Sequence, residues 1–155
     1  MTVSSPERDQ LLAALRRAVR LFIAGSSLYS QRVADKLALH PTDMQFLNLL
    51  DLLGPMTPGT LGQCSGLSSG GVTVVLDRLE GAGYIRRSSN PSDRRSVVVS
   101  LVEARQKRVT ANYDAPQGQF ESLIAQFSDQ DLATVLRFFT SANAMRPQMQ
   151  KRPTK

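Results

Sequence analysis

Two pairs of arginines, Arg86–Arg87 and Arg94–Arg95, flank a short polar turn in the stretch RRSSNPSDRRSVVVSL. A guanidinium group carries a fixed positive charge and a planar set of donors that matches phosphate oxygens. Four such groups so close together could therefore bind a phosphate-rich partner. The alternative is a hairpin whose charges only keep an ordinary surface solvated.

Residues that commonly perform catalytic or metal chemistry are scarce, with one cysteine, Cys64, and one histidine, His40. They lie far apart in the sequence, so they do not supply the clustered ligands that zinc needs. No nucleophile motif surrounds His40, and no glycine-rich phosphate loop follows a strand. We therefore expect no enzyme activity, no cofactor and no metal site. Cys64 is expected to be a buried, inert thiol.

The bulk composition fits a basic globular protein of one domain. The chain has 155 residues, a formal net charge of +6 at pH 7 and 41% hydrophobic residues. The excess of positive charge points to anionic partners, although part of it lies in residues 147–155, which we expect to be a disordered basic tail. No apolar run is long enough to span a bilayer, and the polar N-terminus does not look like a signal peptide. We expect a cytoplasmic protein with no membrane contact.

The centre of the chain predicts two short helices joined by a tight turn. The first runs from the N-cap Thr57 to about Gly66, and the second begins at Ser68 or Ser69 and ends at Gly81. The expected buried face of the second helix comprises Val72, Val75, Leu76 and Leu79. This layout is typical of a helix-turn-helix, whose second helix, here residues 68–82, enters the major groove of DNA.

The outward face of that second helix is small and polar. Its members are Ser69, Gly70, Thr73, Asp77 and Arg78. They are either a solvated helix face or the first turns of a recognition helix.

Residues 84–101 predict a β-hairpin. Tyr84 to Ser88 form the first strand, the turn formers SNPSD follow, and alternating apolar residues including Val97, Val99 and Leu101 form a half-buried second strand. A hairpin that directly follows a helix-turn-helix is a wing.

Long helical patterns precede and follow this centre. The first begins at Pro6, a capping box at Thr42 and Gln45 begins the next, and a helix bent near Pro116 follows the wing. A last helix is capped by Ser128 with Asp131 at its third position. These apolar stripes exceed what a small domain can bury, so the helices should pack in a two-fold dimer.

The expected fold is therefore mainly α with a small β-hairpin wing (α+β), a winged helix-turn-helix with long N- and C-terminal dimerisation helices. Residues 1–39 and 102–146 form the helical dimerisation region, and residues 40–101 form the DNA-binding region.

This order of elements resembles the MarR family of bacterial winged helix-turn-helix transcriptional regulators. The resemblance covers nearly the whole chain and is densest in residues 61–101, in the words VTVVLDRLEGAGYIRR and DRRSVVVSL. It implies a homodimer that reads an inverted-repeat operator in double-stranded DNA. It further implies a repressor that is released by a small aromatic or anionic effector.

The resemblance also implies roles for individual residues. Arg95 would insert into or beside the minor groove and Asp93 would orient it, because a narrow minor groove concentrates negative potential. Arg94 has no fixed role in the family pattern and is expected to contact phosphate. Arg86 and Arg87 lie at the base of the wing, where Arg86 is the preferred phosphate contact; the alternative for either is a solvated strand residue, and Arg87 could have no role. The complete set of expected DNA-binding residues is Ser68, Ser69, Gly70, Thr73, Val74, Arg78, Arg86, Asp93, Arg94 and Arg95.

Three positions depart from the family pattern. Val74 stands where many relatives carry Arg, Lys or Asn, Val102 stands where a Thr commonly caps the next helix, and Arg105 replaces a Gly. Val74 favours an alternative in which the winged fold is a protein-interaction module without specific DNA reading. A ligand-independent DNA-binding protein is a further alternative. His40 is a candidate for lining a ligand cavity, against the alternative of a surface or capping histidine.

Overall fold

The computed structural model describes residues 5–91, 93–111 and 117–149, and the chain divides into two units, Met1–Met44 and Gln45–Lys155. Its elements are α1 (Pro6–Lys36), α2 (Pro41–Leu53), α3 (Pro58–Ser65), α4 (Ser69–Gly81), β1 (Ile85–Asn90), β2 (Asp93–Leu101), α5 (Glu103–Thr110), α6 (Gln117–Ile124) and α7 (Asp129–Met149). A mainly helical chain with one two-stranded hairpin confirms the expected fold class. None of the helices in the described ranges is long and apolar enough to cross a membrane.

The first unit is dominated by α1, a helix of 31 residues. The Ser5 hydroxyl accepts a hydrogen bond from the Arg8 backbone N–H at 3.3 Å, which caps the helix where Pro6 predicts its start. Val33, Ala34 and Leu37 are buried near its C-terminal end. Earlier apolar side chains of this helix are exposed, namely Leu11, Leu15, Leu21, Phe22, Ile23 and Leu28.

The start of α2 differs from the prediction. The helix begins at Pro41, and its cap is His40 rather than Thr42. The backbone N–H of His40 donates to Asp43 Oδ2 at 3.4 Å, and the Thr42 N–H donates to His40 Nδ1 at 3.2 Å. The predicted box of Thr42 and Gln45 is wrong because the fixed φ of Pro41 suits the first helical position, which moves the cap one residue before it.

The second unit contains the two short helices as predicted. Thr57 caps α3 by accepting the Thr60 N–H at 3.2 Å, and Gly66 ends the helix with a φ of +72°. Ser68 caps α4 by accepting the Gly71 N–H at 3.3 Å. The buried apolar side chains of this unit are Phe46, Leu47, Leu50, Met56, Leu61, Val72, Val75, Leu76, Leu79, Tyr84, Ile85 and Val99.

The hairpin pairs β1 with β2 in antiparallel register from Ile85↔Leu101 outward. The ladder continues to Asn90↔Asp93 through an irregularity after Ser89, so both strands extend further toward the turn than the sequence predicts. The predicted alternation in β2 holds near the helices, where Val99 is fully buried. Further out it fails, because Val97 is 41% exposed.

The C-terminal helices agree with the prediction in part. Helices α5 and α6 are separate elements, and residues 112–116, where a bend was expected near Pro116, lie outside the described residues. The capping box of α7 is confirmed, since Asp131 N–H donates to Ser128 Oγ at 3.3 Å and Ser128 N–H donates to Asp131 Oδ2 at 3.1 Å. The side-chain and backbone hydrogen bonds from Ser128 hold the pKa of the Asp131 carboxyl below its ordinary value. Helix α7 runs to Met149, past the predicted limit of 146, and the rest of the predicted tail lies outside the described residues.

Candidate nucleic-acid interface

Helix α4 buries one face and exposes the other. Val72, Val75, Leu76 and Leu79 are at most 4% exposed. Apart from the terminal Gly81, the exposed positions are Ser69, Gly70, Thr73, Val74, Asp77 and Arg78. Residues three and four positions apart share one side of a helix, so these side chains form one continuous surface. The small polar face predicted from the sequence is therefore open to a partner.

The first turns of that surface leave room for close approach. A Cβ added at Gly70 would meet no atom within 4 Å. The hydroxyl of Ser68 serves as the helix cap, and Thr73 Oγ1 donates to the Ser69 carbonyl at 3.0 Å. Val74 is 60% exposed and presents an apolar patch within the polar face. A side chain of this kind can contact the methyl group of thymine.

The hairpin has two parts, which we call the hairpin base (residues 84–87 and 99–101) and the hairpin tip (residues 88–98). At the tip, Asp93 Oδ1 accepts the backbone N–H of Arg95 at 3.0 Å. Asn90 Nδ2 donates to Ser96 Oγ at 2.8 Å, and Ser96 Oγ donates to the Asp93 carbonyl at 3.1 Å. Local hydrogen bonds thus fix the backbone that carries Arg95.

At the tip, the side chains of Asp93 and Arg95 are exposed. Asp93 acts on the backbone of Arg95, and among the described residues the Arg95 guanidinium has no hydrogen-bond or ion-pair partner. The position of the Arg94 side chain lies outside what the structure describes. An exposed guanidinium on a fixed turn is suited to an external anion.

Arg86 and Arg87 differ although they are neighbours in β1. Arg86 is exposed, and its Nε donates to Ser100 Oγ across the hairpin at 3.2 Å. Arg87 is held by two carboxylates of α4. Its Nη2 donates to Asp77 Oδ1 at 2.7 Å and its Nη1 donates to Glu80 Oε2 at 2.5 Å. The alternative that Arg87 is a solvated strand residue is wrong, because α4 lies against β1 and brings both acids within reach.

The backbone of Arg87 joins the same interaction. Its N–H donates to Glu80 Oε1 at 3.0 Å, so one carboxylate receives both a main-chain and a side-chain donor. The hydrogen bond to Asp77 raises the pKa of the Arg87 guanidinium above its ordinary value, and Glu80 acts in the same direction. We call the group of Arg87, Asp77 and Glu80 the α4 clamp. The sequence signal that could have found it is the spacing of Asp77 and Glu80, which lie on one side of a helix.

The other edge of the hairpin base is also held. Met56, in the connection between α2 and α3, pairs with Val99 through two backbone hydrogen bonds of 2.9 and 3.1 Å. Tyr84 is buried, and the Arg105 guanidinium lies 5.5 Å from the centre of its ring. The residue that replaces a usual Gly in α5 therefore packs on the base of the wing.

The remaining candidates are not part of this surface. Cys64 on α3 is partly exposed, so the expectation of a buried thiol is wrong. His40 caps α2 through its ring nitrogen, which is the capping alternative. Within the described ranges there is no group of three or more side chains that could hold a metal ion.

The chain is similar to known transcriptional regulators. Residues 39–97 match the model of the MarR family. The chain is 36% identical to the HTH-type transcriptional regulator YcgE of Bacillus subtilis over 115 residues, which is 74% of this chain and 75% of that protein. It is 31% identical to the HTH-type transcriptional regulator YkoM of Bacillus subtilis over 103 residues, covering 66% of each.

Solved structures share the fold at low sequence identity. A MarR family protein from Bacillus stearothermophilus superimposes with a TM-score of 0.67 at 20% identity, covering 92% of this chain and 98% of that one. The transcriptional regulator Tm0710 from Thermotoga maritima gives a TM-score of 0.63 at 19% identity, covering 90% and 99%. Together with the exposed face of α4 and the hairpin that follows it, these matches establish that the chain belongs to the MarR family of DNA-binding, winged-helix transcriptional regulators.

Proposed function

We propose that the protein is a homodimeric repressor that reads an inverted-repeat operator and is released by a small aromatic or anionic effector. Two observations together carry the proposal: the exposed polar face on α4, and an exposed Arg95 guanidinium at the hairpin tip that has no partner among the described residues. Such a regulator works in the bacterial cytoplasm, where the chromosome lies.

Operator reading is assigned to two elements. Helix α4 enters the major groove, where Ser69, Gly70 and Thr73 face base edges and Val74 meets a thymine methyl. The hairpin tip carries Arg95 to the neighbouring minor groove, where narrow A·T-rich sequence attracts a guanidinium. Ser68, Arg78, Arg86, Asp93 and Arg94 are the supporting contacts to phosphate and to the backbone of the tip.

The homodimer is supported by apolar side chains left exposed on the long helices. On α1 these include Leu21, Phe22 and Leu28, which are each more than 60% exposed. The helices after the wing expose Phe120, Leu123, Val135, Leu136, Phe138 and Phe139. Contiguous apolar surface of this kind marks an interaction site. Members of this family form dimers, and a second copy of the chain is the natural occupant of these stripes.

An anionic effector is supported by a cleft of about 480 Å³ at the junction of the hairpin base and α5. Its lining residues are Arg86, Leu101, Val102, Glu103, Ala104 and Lys107. Lys107 pairs with Glu103 at 3.5 Å, whereas the two outer nitrogens of Arg86 have no partner in the described part of the chain and can bind a carboxylate. An anion bound there would hold an arginine that otherwise contacts phosphate, which would weaken operator binding.

The proposal is tested by binding the purified dimer to the promoter region of its own gene at low salt. Affinity should fall steeply as salt rises, because phosphate contacts release counterions. Operator reading would be contradicted by a folded dimer that neither shifts this DNA nor enriches any sequence from a random pool. Titration with salicylate-like anions tests the effector. Release of DNA by one of them excludes a ligand-independent regulator.

Exposed Val74 favours one second candidate, a protein-interaction module without specific DNA reading. An apolar side chain at the centre of α4 contributes no hydrogen bond to a base and fits a protein partner equally well. The same selection experiment separates the two functions, since an interaction module would enrich no sequence.

A further inference from the structure

The α4 clamp links the two elements that are assigned to neighbouring grooves. Asp77 and Glu80 lie three positions apart on α4, and Arg87 lies in β1, directly before the hairpin tip begins. The clamp uses one backbone N–H and two guanidinium nitrogens, at 2.5 to 3.0 Å from their acceptors. A planar guanidinium that bonds two acids fixes orientation as well as distance.

The clamp occupies the edge of β1 that faces α4. Arg87 pairs with Val99 in the ladder, and the backbone of Val99 bonds Met56 on the opposite side. The hairpin base is therefore anchored on both edges, to α4 through Glu80 and to the α2–α3 connection through Met56. The side-chain hydrogen bonds described above for the tip join residues of the hairpin to each other.

The acidic side chains of the clamp are electrostatically unfavourable for DNA binding. Asp77 is exposed on the same surface of α4 that faces DNA, and its side chain is 61% exposed. A carboxylate there repels phosphate, so its removal should strengthen binding to any DNA. If Asp77 positions the two DNA-binding elements, its removal should instead weaken binding to the preferred sequence.

We propose that Arg87, Asp77 and Glu80 are positioning residues that fix the angle between the recognition helix and the wing. The clamp lets α4 and Arg95 reach their grooves at the same time, and it does so without touching DNA. The proposal rests on the proposed operator reading. If the proposal is right, Asp77 and Glu80 are required for sequence preference although their negative charge disfavours DNA binding.

The test is the affinity of Asp77→Asn, Glu80→Gln and the double variant for two DNA fragments of equal length. One fragment is the sequence that the wild-type protein selects from a random pool, and the other is a scrambled version. We expect affinity for the selected fragment to fall about fivefold, the upper end of what one exposed ion pair contributes. Affinity for the scrambled fragment should stay equal or rise. Glu7→Gln, which removes an exposed carboxylate from α1, is the matched control and should change neither affinity.

A charge-conserving variant separates positioning from neutralisation. Arg87→Lys keeps the positive charge but lacks the planar fork, so it should also weaken binding to the selected fragment. Tighter binding of both fragments by the acid variants, or wild-type binding by Arg87→Lys, would overturn the proposal.

Hydrogen exchange of the free protein tests the clamp without DNA. In Glu80→Gln the amides of residues 85–90 and 93–101 should exchange faster, while those of α3 stay unchanged. Unchanged exchange in the hairpin would overturn the clamp. If the wild-type protein selects no sequence, the proposed function fails, and faster hairpin exchange would still show that the clamp holds the wing.

Discussion

The base and the tip of the hairpin both carry arginines and serine, yet they are built differently. At the base, Arg87 is tied to two acids of α4, Val99 is fully buried and Met56 extends the sheet by one bridge. At the tip, Val97 is 41% exposed and the Arg95 guanidinium has no partner within the described ranges. Short-range hydrogen bonds of Asn90, Asp93 and Ser96 shape the described part of the tip.

The difference between the base and the tip indicates that arginine has two different functions in the hairpin. An arginine that is paired with two carboxylates has both terminal nitrogens engaged within the protein, and we propose that it positions the wing. An exposed arginine beside a hydrogen-bonded turn can offer its donors to an external anion. The charge of the hairpin is therefore a poor guide to its function, and the partners of each guanidinium are a better one.

The largest effect is expected at Arg95. Arg95→Ala should lower operator affinity by about 1–3 kcal/mol, because it removes a base-reading or minor-groove guanidinium. Its unfolding free energy should change by less than about 0.5 kcal/mol, since exposed side chains contribute little to stability. Fluorescence anisotropy with the selected operator and urea unfolding measure the two quantities. Arg8→Ala, which removes a charge from α1, is the control. An equal loss of operator affinity in Arg95→Ala and Arg8→Ala would contradict a specific role of the hairpin tip in DNA binding.

Two valines of β2, one in the hairpin base and one in the tip, allow the contribution of each part to the unfolding free energy to be compared. Val99→Ala should cost about 2 kcal/mol of unfolding free energy, because it leaves a cavity in a fully buried site. Val97→Ala, two residues away at an exposed position, should cost less than about 0.5 kcal/mol. Chemical denaturation of both variants gives the comparison directly. Similar costs at the two positions would mean that the base is not better packed than the tip.

A smaller effect is expected from the two adjacent arginines of β1. Arg87→Gln should cost about 1 kcal/mol of stability, since its ion pairs are partly screened by solvent. Arg86→Gln loses one side-chain bond to Ser100 and should cost less. The difference should shrink in high salt, because screening weakens exposed ion pairs. Thermal unfolding at two salt concentrations measures it, and a salt-independent or reversed difference would argue against the clamp.

Local signals in the sequence predict most of the central elements. Thr57, Gly66 and Ser68 act over three or four residues, so their capping roles and the bounds of α3 and α4 follow from the sequence. The buried face of α4 follows from its helical spacing. The exception is the start of α2, where Pro41 overrides the apparent box at Thr42.

Contacts between elements could not be predicted in the same way. Arg87 meets its acids seven and ten positions earlier in the chain, and that meeting depends on how α4 lies on β1. The bridge between Met56 and Val99 likewise joins residues far apart in sequence. The burial of Cys64 also depends on tertiary packing, which a preference for buried cysteines does not fix. The residues assigned to DNA contact remain predictions.

The central claim is that the hairpin tip lies in the minor groove while α4 lies in the major groove. A Ser89→Cys substitution in a Cys64→Ser background places one thiol at the exposed tip, where an iron chelate can be attached to cleave nearby DNA. With the selected operator, we expect cleavage confined to the minor groove beside each half-site, and none from the unlabelled Cys64→Ser parent. Cleavage that is absent, or spread evenly as on scrambled DNA, would contradict it.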